Sequence, residues 1–435
     1  MPPHHLLLQL RPLKPNKELV MKSKTLFYDL ILITILASLI PAAHAQTFSV
    51  IHTFTGGLDG GAPYAGVTIK GNALYGTGSL QCGSVYQLTH NGSNWLFSTL
   101  AALGQDCGPM ARVVFGPDDH LYGTTAGGGP YYGGTVFKVT PQVAPCRDAA
   151  CYWTVNDLYA FGSSQTDANG PGYGDLIWDQ QGNIYGTTNF GGAYGNGAVY
   201  QLTPSGNGYI ESILYSFQGT PGAAVPYAGL VFDKNGNLFG TTAGGGAYGN
   251  GAVFELTYAP GVGWTEHVLY NFQAADDGWD PLAGLTFDSA GNLYGATFGG
   301  DDYNSGTVFE LSPSDDTWTY KLLYSFPGSN WQNCGPAENL TLDAAGNLYG
   351  TTWCDGAYNF GNVFKLSNTE NGWVYTSLYD FTGGSDGAQA DCNVSIDTDG
   401  TLYGTTNNGG DYGNGTVWMI QGAAKPGVAH SPDRK

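Results

Sequence analysis

Short apolar runs broken by clusters of glycine, asparagine and aspartate recur along most of the chain, and one stretch shows the pattern clearly. Leu230-Val231-Phe232 is an apolar run. It is followed by Asp233-Lys234-Asn235-Gly236-Asn237, residue types that take up turn and left-handed backbone at low cost. Leu238 to Thr242 reads as a second strand, and a glycine-rich loop leads to a third, Ala252 to Thr257. After a turn near Pro260-Gly261 a fourth strand spans Trp264 to Phe272. The two-residue period of a strand predicts Glu266, Val268, Tyr270 and Phe272 on one face.

This unit recurs in seven copies, centred on Gly76, Gly123, Gly186, Gly240, Gly295, Gly350 and Gly404, which lie 47, 63, 54, 55, 55 and 54 residues apart. Units of this length, each with four antiparallel strands, describe the blades of a β-propeller better than any solenoid. The two ends complement each other. The seventh unit stops after a third strand, Thr416 to Ile420, and the stretch Phe48 to Phe54 is a fourth strand with no unit of its own. Pairing them predicts an all-β, seven-bladed ring closed by the N-terminal strand, a closure that removes two exposed sheet edges. The propeller is expected over residues 46–421, with 422–435 a disordered tail.

The motif L-Y-G-T-T followed by G-G-x-Y-G-N-G-x-V-F-x-L resembles that of the secreted bacterial GloVer-repeat proteins, tandem-repeat proteins with a choice of C-terminal anchor. The resemblance covers residues 47–421 and implies export and a propeller-like repeat domain. It implies no established reaction, so no catalytic residue carries over. The stretch 422–435 has no hydrophobic run or sorting motif of the kind an anchor needs.

Residues 1–45 do not read as part of the repeat. Lys22 and Lys24 precede an apolar segment from Leu30 to Ile40 and then Ala43-His44-Ala45, the layout of a secretory signal peptide cleaved after Ala45. Eleven apolar residues are too few to span roughly 30 Å of hydrocarbon, so no membrane span is expected. The leader carries a net +3, so a whole-chain charge of −20 becomes −23 once it is gone. Such a surface repels nucleic acid and anionic lipid and is compatible with cations, neutral glycans or basic partners. The expected protein is a secreted, extracellular or periplasmic monomer.

Candidate chemistry follows from the topology. Loops between strands two and three share a face with the loops entering each blade. The first set carries Tyr131, Tyr194, Tyr248, Tyr303, Tyr358 and Tyr412 in register. The second carries carboxylates, Asp59, Asp106, Asp167, Asp276, Asp277, Asp280, Asp386 and Asp391 among them, with Trp279 and Trp331. Aromatic faces beside carboxylates suit sugar rings, although regular repetition favours each tyrosine packing its glycine-rich loop against the neighbouring blade. Eleven residues before the anchor glycine come Arg112, Asp175, Gly229, Gly284, Asn339 and Asn393, a set the ring would gather at the mouth of the central channel. Asp175, Glu338, Asn339 and Asp391 offer oxygen donors there for Ca²⁺, the one cofactor the sequence raises, with a polar water-lined channel as the alternative. Arg112, from the second unit, also lies beside the first unit, whose glycine-rich loop is shortened and lacks a tyrosine, and Asp175 follows one blade later.

Histidines are scattered, with no H-x-x-x-H spacing, and no G-x-S-x-G or P-loop is present. Seven cysteines in an exported chain imply disulfides. Cys82 with Cys107 and Cys146 with Cys151 are the expected pairs, while Cys354 has both Cys334 and Cys392 within reach. The functional expectation is a binding module for polysaccharide or a surface protein. The alternative is an extracellular hydrolase, lyase or metal-dependent lactonase working at the channel mouth.

Overall fold

In a computed structural model, the described residues are 46–142, 152–206, 208–300, 306–315, 317–328 and 334–424. The leader, the end of the tail, Tyr303, Trp331 and the Cys146–Cys151 pair lie outside them. Seven four-stranded antiparallel sheets form the blades of a propeller. Blade 4 is typical: Val231–Phe232, Leu238–Thr242, Ala252–Ala259 and Gly263–Asn271, in that order from first to fourth strand. The first strand of each blade spans only two or three residues.

Thr47–Thr53 pairs antiparallel with Thr416–Gln421, so blade 7 is assembled from both ends of the chain. Seven apolar clusters fill the seven spaces between blades. The one between blades 7 and 1 joins Tyr403 and Val417 to Leu74, Tyr86 and Phe54, and that contact closes the ring. Burying side chains of this size stabilises by about 1.5–3 kcal/mol each.

The repeated motif is a set of local fastenings. In blade 4 the Asp233 carboxylate accepts the N–H groups of Asn235 and Asn237, both at 2.8 Å, which fixes the turn between the first two strands. In blades 3, 5, 6 and 7 the equivalent aspartate also accepts a tyrosine hydroxyl from the second strand, as Asp343 does from Tyr349 at 3.0 Å. The first threonine of G-T-T reaches the neighbouring blade: Thr241 Oγ1 donates to the Ala283 carbonyl at 2.7 Å. The second turns inward, as where Thr406 and Thr416 share a bond at 2.9 Å. The anchor glycine leaves room for a ring on the third strand; a Cβ on Gly240 would lie 2.7 Å from Cζ of Phe254.

One face assignment is corrected. A bulge between Val253 and Phe254 shifts the register, so that Val268 pairs with Phe254 and Tyr270 with Val253. Val268 packs in the cluster shared with blade 3, whereas Tyr270 and Phe272 face blade 5. The bulged residue reverses the alternation that a regular strand would carry through. All seven outermost strands show the same shift, which lets each strand contribute to both of its blade interfaces.

Candidate functional site

The loops entering each blade and the loops between strands two and three meet on one face. In blade 4, Ala223–Ala224 pairs with Gly244–Gly245 across them. Most of the loop carboxylates serve as turn caps. Asp59, Asp167, Asp277 and Asp386 each accept the N–H four residues upstream, at 2.7–2.9 Å, and Asp106 accepts that of Gly129 at 2.8 Å. Trp279 is likewise structural: its indole N–H donates to the Gly300 carbonyl at 2.7 Å.

Among the described collar tyrosines, Tyr131, Tyr194, Tyr248, Tyr358 and Tyr412 are 52–63% exposed, so their rings are not buried against neighbouring blades. Tyr194, Tyr248 and Tyr358 stand near Tyr215, Tyr270 and Tyr379 on the outermost strands, which places them toward the rim and away from the channel. In place of this loop blade 1 has a single turn, Leu80–Cys82, held by a disulfide between Cys82 and Cys107. A second disulfide joins Cys334 to Cys354 and leaves Cys392 as a buried thiol, pushed up to about 12 by burial.

At the channel the set eleven residues before the anchor glycine does converge. Its blade 1 member is Gly66, ten residues before Gly76 because the first turn of that blade is one residue shorter. Gly66 abuts Asn393, and Gly229 abuts Asp175. Arg112 and Asp175 form an ion pair between blades 2 and 3. The Asn339 amide oxygen accepts the Gly284 N–H at 2.7 Å, so this side chain fastens blade 5 to blade 6.

The preceding residue of each blade is small, Ala65, Ala111, Gly174, Ala228 and Ala283 for example, except in blade 6, where it is Glu338. One position earlier, blade 7 has Asp391 where blades 3 and 4 have Tyr173 and Tyr227. Both carboxyls sit among the channel-mouth residues, partly enclosed by protein. Burial raises Glu338 well above the ordinary carboxyl range. The charges of Asp391 and Asp175 push it further, against the opposing effects of Arg112 and the Asn339 N–H. Burial pushes Asp391 up to about 7 and Asp280 up to about 6. Oδ1 of Asp391 is sealed from solvent and has no hydrogen-bond partner.

Tyr173 and Tyr227 form a tilted ring pair with centroids 4.2 Å apart, and the Tyr227 hydroxyl senses both Asp280 and Asp391. Burial first, then Tyr173 and these two carboxylates, raises its pKa beyond the usual phenol range. Sequence reading passed over this pair because Pro-Tyr-Ala-Gly looks like an ordinary strand entry. The signal was available in the position-by-position comparison of blades, where aromatic and acidic residues substitute for one another at a single place.

Of the four residues expected to offer oxygen donors for Ca²⁺, two have other partners in the structure. Among the described residues no three His, Cys, Asp or Glu side chains are grouped to hold a metal ion. Asp175 is committed to Arg112 and Asn339 to Gly284, which removes two of the four donors. Among the described residues no helix is long and apolar enough to cross a membrane.

A family model described as the Gloeobacter/Verrucomicrobia repeat matches residues 40–231 and 171–418. No curated protein matches the sequence. Among solved structures, an ulvan lyase is 10% identical over 84% of this chain and 93% of its own, with a TM-score of 0.48. A gluconolactonase from Xanthomonas campestris is 14% identical over 70% and 82%, with a TM-score of 0.38. A mutant of AofleA from Arthrobotrys oligospora is 14% identical over 77% and 92%, with a TM-score of 0.43. Likenesses at this level say nothing of function, and the fold rests on the sheet topology itself.

Proposed function

This chain belongs to the Gloeobacter/Verrucomicrobia repeat family, and from that premise we propose that it is an exported propeller whose channel mouth binds polysaccharide. The observation that carries the reading is the Tyr173–Tyr227 ring pair set beside the carboxyls of Asp280 and Asp391. A pyranose has an apolar C–H face that packs on such rings, and equatorial hydroxyls that a carboxyl can accept from or, when protonated, donate to. The leader at residues 1–45 and the disulfides Cys82–Cys107 and Cys334–Cys354 support an oxidising, extracytoplasmic setting.

The test is a screen of immobilised glycans with full-length chain lacking the leader, run with Ca²⁺ and with chelator. Retention in both conditions is expected, together with a loss of about tenfold for Tyr227→Ala, the scale of one aromatic contact. Indifference to Tyr227→Ala would remove the site from the channel mouth. A second reading draws on Asp391, pushed by burial up to about 7, where a carboxyl can transfer a proton as a hydrolase or lyase requires, with Glu338 raised by burial beside it. Shortened glycan released from the same screen would establish that reading.

A further inference from the structure

Among the described residues, carboxyls at the channel mouth outnumber the positive charge that faces them, and Arg112 is the one cation that Glu338 senses. Arg112 is held by Asp175 through two hydrogen bonds from its guanidinium, so that pair is neutral as a unit. Glu338, Asp391 and Asp280 remain. Asp391 accepts no hydrogen bond through Oδ1, which is sealed from solvent. Glu338 stands where the other blades carry Ala, Gly or Cys, residues that fill the wall without charge. Each carboxyl senses surrounding groups across the channel: Asp391, Asp175 and Arg112 around Glu338, and Cys392, Glu338 and Tyr227 around Asp391.

Two partly enclosed carboxyls that repel each other weaken the unliganded fold. Ordinary blade packing gives no reason for them, because the other six blades carry small uncharged residues at the Glu338 position and uncharged residues at the Asp391 position. A cationic ligand would supply one. The donor arrangement is poor for a metal ion, since Asp175 and Asn339, two of the four oxygen donors, already have other partners. An ammonium asks for less: three hydrogens that it can share among carboxylates without a fixed coordination sphere. Asp280 and Asp391 both neighbour Tyr227, so a ring stacked on the tyrosines would carry a directly attached amine within reach of the acids.

Resting on the saccharide reading above, we propose that the mouth selects amino sugars with a free amine, the pyranose on Tyr173 and Tyr227 and the ammonium shared by Asp391 and Glu338. N-acetylation would remove the charge and add bulk at the same carbon. The net charge of −20 for the whole chain would draw a polycationic glycan toward the protein before it is bound.

Isothermal titration calorimetry with the leaderless chain tests this, using the hexamers of β-1,4-glucosamine, β-1,4-N-acetylglucosamine and β-1,4-glucose. The glucosamine hexamer is expected to bind at least about tenfold more tightly than the other two, a gap that narrows in high salt. Glu338→Gln and Asp391→Asn should each abolish the gap, with circular dichroism and melting showing a folded protein. Equal binding of all three hexamers would overturn the amine proposal and leave the saccharide reading intact. Binding of none, in a protein that the glycan screen shows to retain some other polysaccharide, would also overturn it. Two further results would do the same: a requirement for Ca²⁺, or equally tight binding of hexalysine, which has amines but no pyranose.

Discussion

Arg112 and Asp175 meet between blades 2 and 3 with Nε at 2.9 Å and Nη2 at 2.5 Å from Oδ2, while the Arg112 main-chain N–H donates to Oδ1 at 3.1 Å. The carboxylate therefore holds both the side chain and the backbone of its neighbour, at a position where blades 1, 4 and 5 have only glycine. With the side chains 22% and 14% exposed, this is a partly enclosed pair, and removing one member strands the other. Arg112→Ala is expected to cost about 1–3 kcal/mol, and the double variant with Asp175→Ala less than the sum of the singles. Denaturant melts of the four proteins measure the coupling. A coupling near zero would make the pair an incidental surface contact.

A second expectation concerns pH. Burial raises Asp391 from 3.8 to about 7, so the folded chain holds this proton after the unfolded chain has lost it. Its stabilising contribution is complete below the unfolded value near 4 and is lost as pH climbs through about 7. Relative to Asp391→Asn, the parent should lose on the order of 2–4 kcal/mol over that interval, and Glu338→Gln should flatten the same slope in part. Melting the three proteins between mildly acidic and mildly alkaline pH shows the effect. Parallel curves would mean that the carboxyl is more freely hydrated than its surroundings imply.

Much of this architecture was legible in the sequence. Four strands per unit follow from runs such as Leu238–Thr242 and Ala252–Ala259, because blade neighbours bury the same apolar positions each time. The closing strand was legible because Thr47–Thr53 had no partner unit and Thr416–Gln421 had no outer neighbour. The convergence of Arg112 and Asp175 follows from ring symmetry alone. What failed depended on local geometry. The bulge at Val253 and Phe254 has no residue signature, so the faces of Tyr270 and Val268 could not be separated beforehand. Asp59, Asp167 and Asp386 read as site carboxylates although a Ser or Thr four residues upstream marks them as turn caps, a spacing open to inspection. The choice of Cys334 over Cys392 for Cys354 lay in loop approach, which spacing does not encode.

Ring closure gives a third prediction. Phe54 is wholly buried, and Phe48 stacks on Tyr379 of blade 6 with centroids 3.6 Å apart. Deleting residues 47–55 removes these rings and leaves Thr416–Gln421 as an unpaired edge beside a half-empty interface. The shortened chain should aggregate or melt far below the parent, as size-exclusion chromatography and thermal denaturation would show. An unchanged elution and melting point would mean that blade 7 stands without its fourth strand.

The last prediction tests why glycine sits at the centre of every unit. A Cβ on Gly240 would lie 2.7 Å from Cζ and 2.9 Å from Cε1 of Phe254, a ring buried completely between blades 3 and 4. The ring has no open space to move into, because Leu230 and Phe217 pack around the same cluster. Gly240→Ala should therefore destabilise by about 1–3 kcal/mol through overpacking, although alanine is the better strand residue on backbone entropy alone. Gly208, with nothing within 4 Å of a Cβ, is the control; there alanine should be neutral or slightly stabilising. Shortening the opposing ring separates crowding from backbone strain. If the contact is the cause, Phe254→Leu should cost less in the Gly240→Ala background than in the parent. Strictly additive penalties would place the need for glycine in the backbone. The same reasoning would then have to be withdrawn for Gly123 under Phe137, Gly295 under Phe309 and Gly350 under Phe364.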